Sequence, residues 1–135
     1  MDKHSIVRAL HEQNFRLTRE REALLELFVN AKQMLTPAQL HELANRENIR
    51  IGLTTVYRLL EVLTKLGLAS PFLVAGTIYY TFCTHEHHHH FVCLTCHNVK
   101  EIYECPNLSA VPQNCKVEYH KLDLFGVCQD CVSVQ

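Results

Sequence analysis

The sequence Phe91-Val92-Cys93-Leu94-Thr95-Cys96 contains one cysteine pair, and Gly126-Val127-Cys128-Gln129-Asp130-Cys131 contains a second pair with the same spacing. The spacing within each pair suits two thiolates that occupy two corners of a zinc tetrahedron, with metal–sulfur bonds of about 2.3 Å. Two pairs supply four soft ligands and leave no open coordination position. We therefore predict a structural zinc site, with unliganded buried thiols or a redox-active pair as alternatives. Its ligands are Cys93, Cys96, Cys128 and Cys131.

Residue types are divided unevenly along the 135-residue chain. All seven cysteines and seven of the ten histidines lie from Cys83 onward, whereas all seven arginines lie between Arg8 and Arg58. A basic first half followed by an acidic half rich in metal ligands predicts two tasks and two domains. The odd cysteine number and the lack of a secretion signal argue against a disulfide framework. Without an 18-residue apolar run, we expect a cytoplasmic protein with no membrane span.

Helical patterns dominate the first half of the chain. Residues 6–10 and 24–28 carry apolar stripes of two helices. A third helix begins at Thr36-Pro37-Ala38-Gln39, which has an N-cap threonine, a first-turn proline and a glutamine in capping-box order. A fourth begins near Thr54 and ends at Gly67, a residue that commonly terminates helices.

A β-hairpin is predicted after the fourth helix. Residues 72–74 and 77–80 are rich in strand-forming side chains, and Ala75-Gly76 separates them. Helices followed by such a hairpin are typical of a winged-helix DNA-binding domain, here residues 1–83.

The rest of the chain, residues 84–135, is predicted to form a small α/β metal-binding dimerisation domain. Residues 91–94, 99–103 and 117–125 are strand candidates, and residues 107–113 are expected to be a loop or a short helix. The fold class is therefore α+β.

A histidine run lies just before the first cysteine pair, in Cys83-Thr84-His85-Glu86-His87-His88-His89-His90. If its end is extended, His88 and His90 share one face and His87 and His89 the other, so that one segment could serve two sites. The run also contains H-E-x-x-H, a zinc-protease signature that requires a helix, but the flanking residues favour strands. A solvated cluster without function is the other alternative.

The chain resembles the ferric uptake regulator family over nearly its whole length, and it is most similar to the zinc uptake regulators. The residues that carry the resemblance are Thr54-Thr55-Val56-Tyr57-Arg58, Leu66-Gly67-Leu68, residues 87–90 with Cys93 and Cys96, Val99-Lys100-Glu101, and His120 with the second cysteine pair.

The resemblance implies a homodimeric repressor that binds palindromic double-stranded operator DNA when loaded with metal. It implies neither an enzyme nor a small-molecule substrate. Tyr57 and Arg58 then lie on the recognition helix, Thr54 and Thr55 contact phosphates, and Arg16 reaches the minor groove. Tyr57 as a half-buried core residue and Arg58 as a solvated charge are the alternatives.

The resemblance also implies a regulatory metal site, for which the candidates are Cys83, His88, His90 and Glu101. Cys83 as a small buried hydrophobe and Glu101 as an exposed strand residue are the alternatives. A possible secondary site draws on His87, His89, His120 and Glu104.

Three departures from the family pattern bear on the metal. Met34 replaces a histidine, Thr81 replaces a carboxylate, and Leu108 replaces a carboxylate of the secondary site. Losing two iron-branch ligands while gaining Cys83 favours zinc as the regulatory metal. An iron or peroxide regulator of the same fold, and a zinc buffer or delivery protein without DNA binding, are the rival functions.

Overall fold

The computed structural model describes residues 2–84, 86–105 and 109–132, and the chain divides into two units, Met1–His85 and Glu86–Gln135. The predictions made at His85 and Leu108, and the first part of the segment predicted at residues 107–113, lie outside the described residues. Residues 109–113 form turns and loop rather than helix.

The four predicted helices are all present in the first unit. They are α1 (Lys3–Glu12), α2 (Arg19–Asn30), α3 (Pro37–Arg46) and α4 (Leu53–Lys65). Side chains cap the first three, and Thr36 and Gln39 form the reciprocal capping box that the sequence predicts. Gly67 follows α4 with a φ of 75°, which suits glycine at a helix C-terminus.

A two-stranded wing follows α4. Strands β1 (Ala69–Val74) and β2 (Thr77–Phe82) pair in antiparallel register, with Val74 opposite Thr77. Ala75 and Gly76 connect them with φ values of 50° and 82°. Positive φ at both positions is what a tight two-residue hairpin turn requires.

An apolar core holds the first unit together. The inward faces of all four helices meet there, and the side chains of Phe28 on α2 and Phe82 on β2 pack edge to face. The fully buried residues in this core include Leu10, Leu24, Leu40, Ala44, Val56, Leu59 and Leu63.

The second unit contains a three-stranded sheet and one short helix. Its elements are β3 (His89–Cys93), β4 (Val99–Ile102), β5 (Asp123–Gly126) and α5 (Gln129–Val132). The order is β4-β3-β5, with β4 antiparallel and β5 parallel to β3. No helix in the described ranges is long and apolar enough to cross a membrane.

The strand prediction for residues 117–125 is wrong in its first two thirds. Only β5 is a strand, and residues 117–122 have no regular structure. The reason is the length of the neighbour: β5 pairs with His90 to Cys93 of the five-residue β3, so a longer strand would lack hydrogen-bond partners.

Candidate metal centres and nucleic-acid interface

The four predicted cysteines of the second unit lie together. Their sulfur atoms are all within 4.8 Å of one another, and Sγ of Cys96 is 3.8 Å from Sγ of Cys128. A tetrahedron with metal–sulfur bonds of about 2.3 Å has edges of about 3.8 Å. The cluster therefore has the donors and the dimensions to bind zinc.

Local backbone geometry builds the first cysteine pair. Strand β3 ends at Cys93, and the chain reverses through His97, whose φ is 65°. The amide groups of Thr95, Cys96 and Cys128 each point at Sγ of Cys93 at 3.4 Å. Three amides around one sulfur stabilise a thiolate at that position.

The thiols of the cluster differ widely in pKa. The amides of Cys96 and Cys128 lower the pKa of Cys93 to about 5, whereas the neighbouring Cys128 raises the pKa of Cys131 to about 12. Four thiols this close cannot all ionise in the absence of a positive charge. A divalent cation would supply that charge.

The histidine run has two faces. The imidazoles of His88 and His90 are 4.7 Å apart between centroids, and those of His87 and His89 are 4.8 Å apart. Residues 87 and 88 have no regular secondary structure and residue 89 begins β3, so Glu86 is not followed by the helix that a zinc-protease motif requires.

The first face is bordered by carboxylates. Strand register places His90 opposite Glu101 on β4 and opposite Asp123 on β5. Nδ1 of His90 donates to Oδ1 of Asp123 at 3.0 Å, and Nε2 is then the nitrogen with a lone pair. Burial lowers the pKa of His90, although Asp123 opposes that effect. A buried, neutral imidazole held by a carboxylate is a common form of metal ligand.

His88 on the same face presents an orphaned nitrogen. Its Nδ1 is 2.6 Å from the carbonyl oxygen of Glu86, which fixes Nδ1 as the donor. Its Nε2 is buried and has no hydrogen-bond partner among the described residues, and Oε1 of Glu101 lies 4.0 Å away. The hydroxyl of Tyr103 donates to Glu101. An unsatisfied lone pair beside a carboxylate suits a cation.

The second face gathers three of the four predicted secondary-site residues. Nε2 of His120 is 3.1 Å from Nε2 of His87 and 3.2 Å from Nε2 of His89. Burial, together with the adjacent His87 and His120, lowers the pKa of His89. The potential ligand that joins the three imidazoles is Cys105, not the predicted Glu104.

Cys83 belongs to the first unit and directly follows β2. Its sulfur is buried and lies 3.0 Å from Oγ of Ser70, and its amide donates to the carbonyl of Leu68. The carbonyl oxygen of Thr81 lies 4.0 Å from the same sulfur, so polar atoms of the first unit contact this buried thiol.

Helix α4 presents a solvent face opposite its core face. Tyr57 is 53% exposed, and Thr54 and Arg58 are exposed beside it, while Val56 and Leu59 are buried. The N-terminus of α4 has no side-chain cap, and its N–H groups can therefore bind an anion. Arg16 is exposed in the α1–α2 connection, where its carbonyl accepts from Arg21.

Sequence reasoning missed two residues near the histidine run. The sequence does contain a signal for Cys105, because its thiol is a stronger zinc ligand than the carboxylate of the neighbouring Glu104. Asp123 lies inside the segment predicted as a long strand, and only the parallel pairing of β5 with β3 shows that it faces His90.

Together, a winged-helix unit with an exposed recognition-type helix and a second unit with clustered metal ligands define the class of metal-responsive transcription regulators. The sequence profile of the Ferric uptake regulator family matches residues 12–125. The chain belongs to this family, whose members are dimeric, DNA-binding transcription regulators and not enzymes.

Relatives of the chain carry the names of different metals. The ferric uptake regulation protein of Staphylococcus epidermidis (strain ATCC 12228 / FDA PCI 1200) is 28% identical over 134 residues, covering 97% of this chain and 96% of that protein. The structure of the ferric uptake regulator from Francisella tularensis with iron is 25% identical, with a TM-score of 0.66, and covers 87% of this chain and 95% of that one. FurB from M. tuberculosis, a zinc uptake regulator, is 29% identical, with a TM-score of 0.50 and coverage of 84% and 92%.

Proposed function

We propose that this protein is a zinc-responsive transcriptional repressor that binds palindromic operator DNA as a homodimer. The observation that carries the proposal is the buried, orphaned Nε2 of His88, which lies on the same face as His90 and near Glu101. Beside it in the chain, the four-cysteine cluster would bind a second, permanent zinc ion.

The two kinds of site would have different roles. A four-thiolate site is closed, and binding there contributes directly to folding. A mixed site of imidazole, carboxylate and a single thiolate is suited to filling and emptying with the cellular supply of metal. Occupancy of the mixed site is therefore the regulatory signal in this proposal.

Cys83 completes the regulatory site with His88, His90 and Glu101 in this proposal. His88 follows Cys83 by only five residues, and five residues span at most about 18 Å when extended. The buried Cys83 sulfur lies beside the Ser70 hydroxyl, and as a thiolate it would bind metal. Asp123 would hold His90 in the orientation that coordination requires.

The donor set favours zinc over iron. Sulfur and imidazole ligands suit zinc, whereas iron and manganese regulators draw on harder oxygen ligands. Met34 and Thr81 stand where the iron and peroxide branches have a histidine and a carboxylate, and both are buried without a hard ligand group. These features support a zinc regulator.

Operator recognition would use the exposed face of α4. Arg58 can read a guanine edge and Tyr57 can pack on a thymine methyl, while Thr54, Thr55 and the uncapped N–H groups bind phosphate. Arg16 would enter the adjacent minor groove.

The second unit would form the dimer. Several of its apolar side chains are exposed, which is typical of a surface covered in an assembly. They include Tyr103, Tyr119, Leu124, Phe125 and Val132.

The regulatory mechanism is thermodynamic linkage. Metal at the regulatory site favours one relative orientation of the two readers in a dimer, and that orientation fits a palindrome. Metal and DNA must then strengthen each other's binding by the same factor, typically about 5–150-fold.

A fluorescence anisotropy titration with DNA from upstream of the protein's own coding region tests the proposal. We expect zinc to tighten binding in the unmodified protein and in a Cys115→Ser control, and not in Cys83→Ser. Metal-independent operator affinity would contradict the proposal. An unchanged zinc response in Cys83→Ser would favour an iron or peroxide regulator.

The same titration separates a repressor from a zinc buffer. Arg58→Ala should weaken operator binding by about 1–3 kcal/mol. The matched control is Arg46→Ala, because Arg46 is an exposed arginine of α3 that pairs with Glu42. If Tyr57→Ala and Arg58→Ala bind the operator as the parent does, the chain is a zinc buffer or delivery protein.

A further inference from the structure

We propose that Cys105 is the fourth ligand of a second metal site formed with His87, His89 and His120. The inference deepens the proposed function, on which it rests, by naming the residue that makes this site selective for zinc-like cations. All four side chains belong to the second unit, and their potential ligand atoms lie within 4.8 Å of one another.

The three imidazoles cannot satisfy one another by hydrogen bonding. Nε2 of His120 faces Nε2 of both His87 and His89, at 3.1 and 3.2 Å. One Nε2 atom has either one proton or one lone pair, so it can bond well to only one of these neighbours. A cation accepts lone pairs from all three at once. Tetrahedral zinc with bonds of about 2.05 Å would place such nitrogens about 3.3 Å apart.

The position of Cys105 departs from the sequence-based expectation. Strand β4 ends at Ile102, and the chain beyond it brings the thiol of Cys105, rather than the carboxylate of Glu104, into the group with the imidazoles. His89 is buried while Cys105 is exposed, so the thiol closes the site from the solvent side.

A thiolate changes what the site can bind. Three neutral imidazoles provide no charge, and one thiolate would neutralise half the charge of a divalent cation. Sulfur also favours zinc over iron or manganese. When the site is filled, Cys105 loses the free thiolate that reacts with alkylating reagents.

Cobalt spectroscopy tests the assignment, because a cobalt–thiolate bond has a near-ultraviolet charge-transfer band. The protein is prepared in reductant with zinc in the four-cysteine cluster and with Cys83→Ser to remove the other mixed-site thiol. Titration with Co²⁺ should then produce the band. Cys105→Ser should lose it, whereas Cys115→Ser and Glu104→Gln should retain it. Loss of the band in Glu104→Gln with retention in Cys105→Ser would overturn the proposal.

Alkylation gives a second readout that is independent of colour. Zinc should protect Cys105 from iodoacetamide in peptide mass spectrometry and leave Cys115 reactive, because Cys115 is exposed outside the group. His89→Gln should abolish the protection. Equal alkylation of Cys105 with and without zinc would also overturn the proposal.

Operator binding by Cys105→Ser and Cys115→Ser in the protein that retains Cys83 separates this inference from the proposed function, because Cys83→Ser by itself is expected to abolish the zinc response. Loss of the cobalt band in Cys105→Ser, together with an operator affinity that does not depend on zinc in the protein that retains Cys83, would uphold the ligand and refute the repressor. Operator binding that depends on zinc, together with a Cys105 that zinc does not protect from alkylation, would uphold the repressor and refute the ligand.

Discussion

The interiors of the two units differ in chemical kind. In the first unit, sixteen buried apolar residues form one core, among them Phe28, Leu59 and Leu63. In the described part of the second unit, the buried residues are Val92, His89, His90, Cys93 and Cys128. Four of these five can bind metal. The first unit therefore has a hydrophobic interior, whereas the interior of the second consists mainly of side chains that can bind metal.

This difference teaches how one short chain can be both stable and responsive. Burial of apolar surface stabilises the first unit regardless of metal. A unit of about 50 residues rarely has a sufficient core without a metal or disulfides. The second unit would then derive its stability from the ions it binds. A DNA-binding unit whose structure is constant is thus connected to a unit whose structure depends on metal.

The largest expected effect is loss of the metal in the four-cysteine cluster. Cys128→Ser, or chelation of the purified protein, should unfold the second unit, since structural zinc contributes on the order of 10 kcal/mol to folding. Hydrogen exchange followed by mass spectrometry should show lost protection in β3 and β5 and retained protection in α2 and α4. The control is Cys115→Ser, which removes an exposed thiol. Uniform loss of protection in both units would show that the first unit also depends on the metal.

The second effect concerns the apolar core. Leu63→Ala should destabilise the first unit by about 2–5 kcal/mol, because Leu63 is fully buried and its truncation leaves a cavity. Leu73→Ala is the control: Leu73 is 69% exposed on the wing, and its loss should cost less than about 0.5 kcal/mol. Urea unfolding measures both. Equal destabilisation by the two variants would show that the first unit is not held by this core.

The same contrast explains what the sequence could predict. The helices of the first unit follow from local rules: the capping box at Thr36, the stop at Gly67 and the turn at Ala75-Gly76 each depend on a few adjacent residues. The cysteine quartet is also readable, because its spacing reflects local geometry.

The parts that escaped prediction depend on pairing between distant segments. The short β5 is set by the length of β3, and Asp123 meets His90 only through that pairing. Cys105 joins the imidazoles across 15 or more residues of chain from His89 and from His120. The pattern of neighbouring residues in the sequence does not reveal such contacts.

A smaller effect tests the local rules in the first unit. Thr36→Ala should destabilise it by about 1 kcal/mol, because Oγ1 of Thr36 accepts from the amide of Gln39 at 3.1 Å. Thr54→Ala serves as the control, since Thr54 lies in the first turn of α4, which has no side-chain cap. Thermal unfolding followed by circular dichroism compares them. A Thr36→Ala variant as stable as Thr54→Ala would show that the capping box does not stabilise α3.

The smallest effect is a pH dependence confined to the second unit. Burial and the neighbouring imidazoles lower the pKa of His89 below 6.5 in the folded protein. Above pH 6.5 the imidazole is neutral in both states, so pH has no effect through this group. As pH falls below 6.5, the unfolded chain takes up a proton that the folded chain resists, and stability declines until the lower folded pKa is passed.

Urea unfolding of protein with zinc only in the four-cysteine cluster should show this decline, and His89→Gln should show a shallower one. The slopes of stability against pH are compared rather than the absolute stabilities. The packing change in the variant is independent of pH, and acid releases zinc from the four-cysteine cluster in both proteins alike. Zinc added to the three-imidazole site should steepen the decline, because coordination requires neutral imidazoles. Identical slopes in the parent and His89→Gln would mean that His89 is as accessible to protons in the folded unit as in the unfolded chain. The second unit would then resemble the first, with its histidines outside the interior.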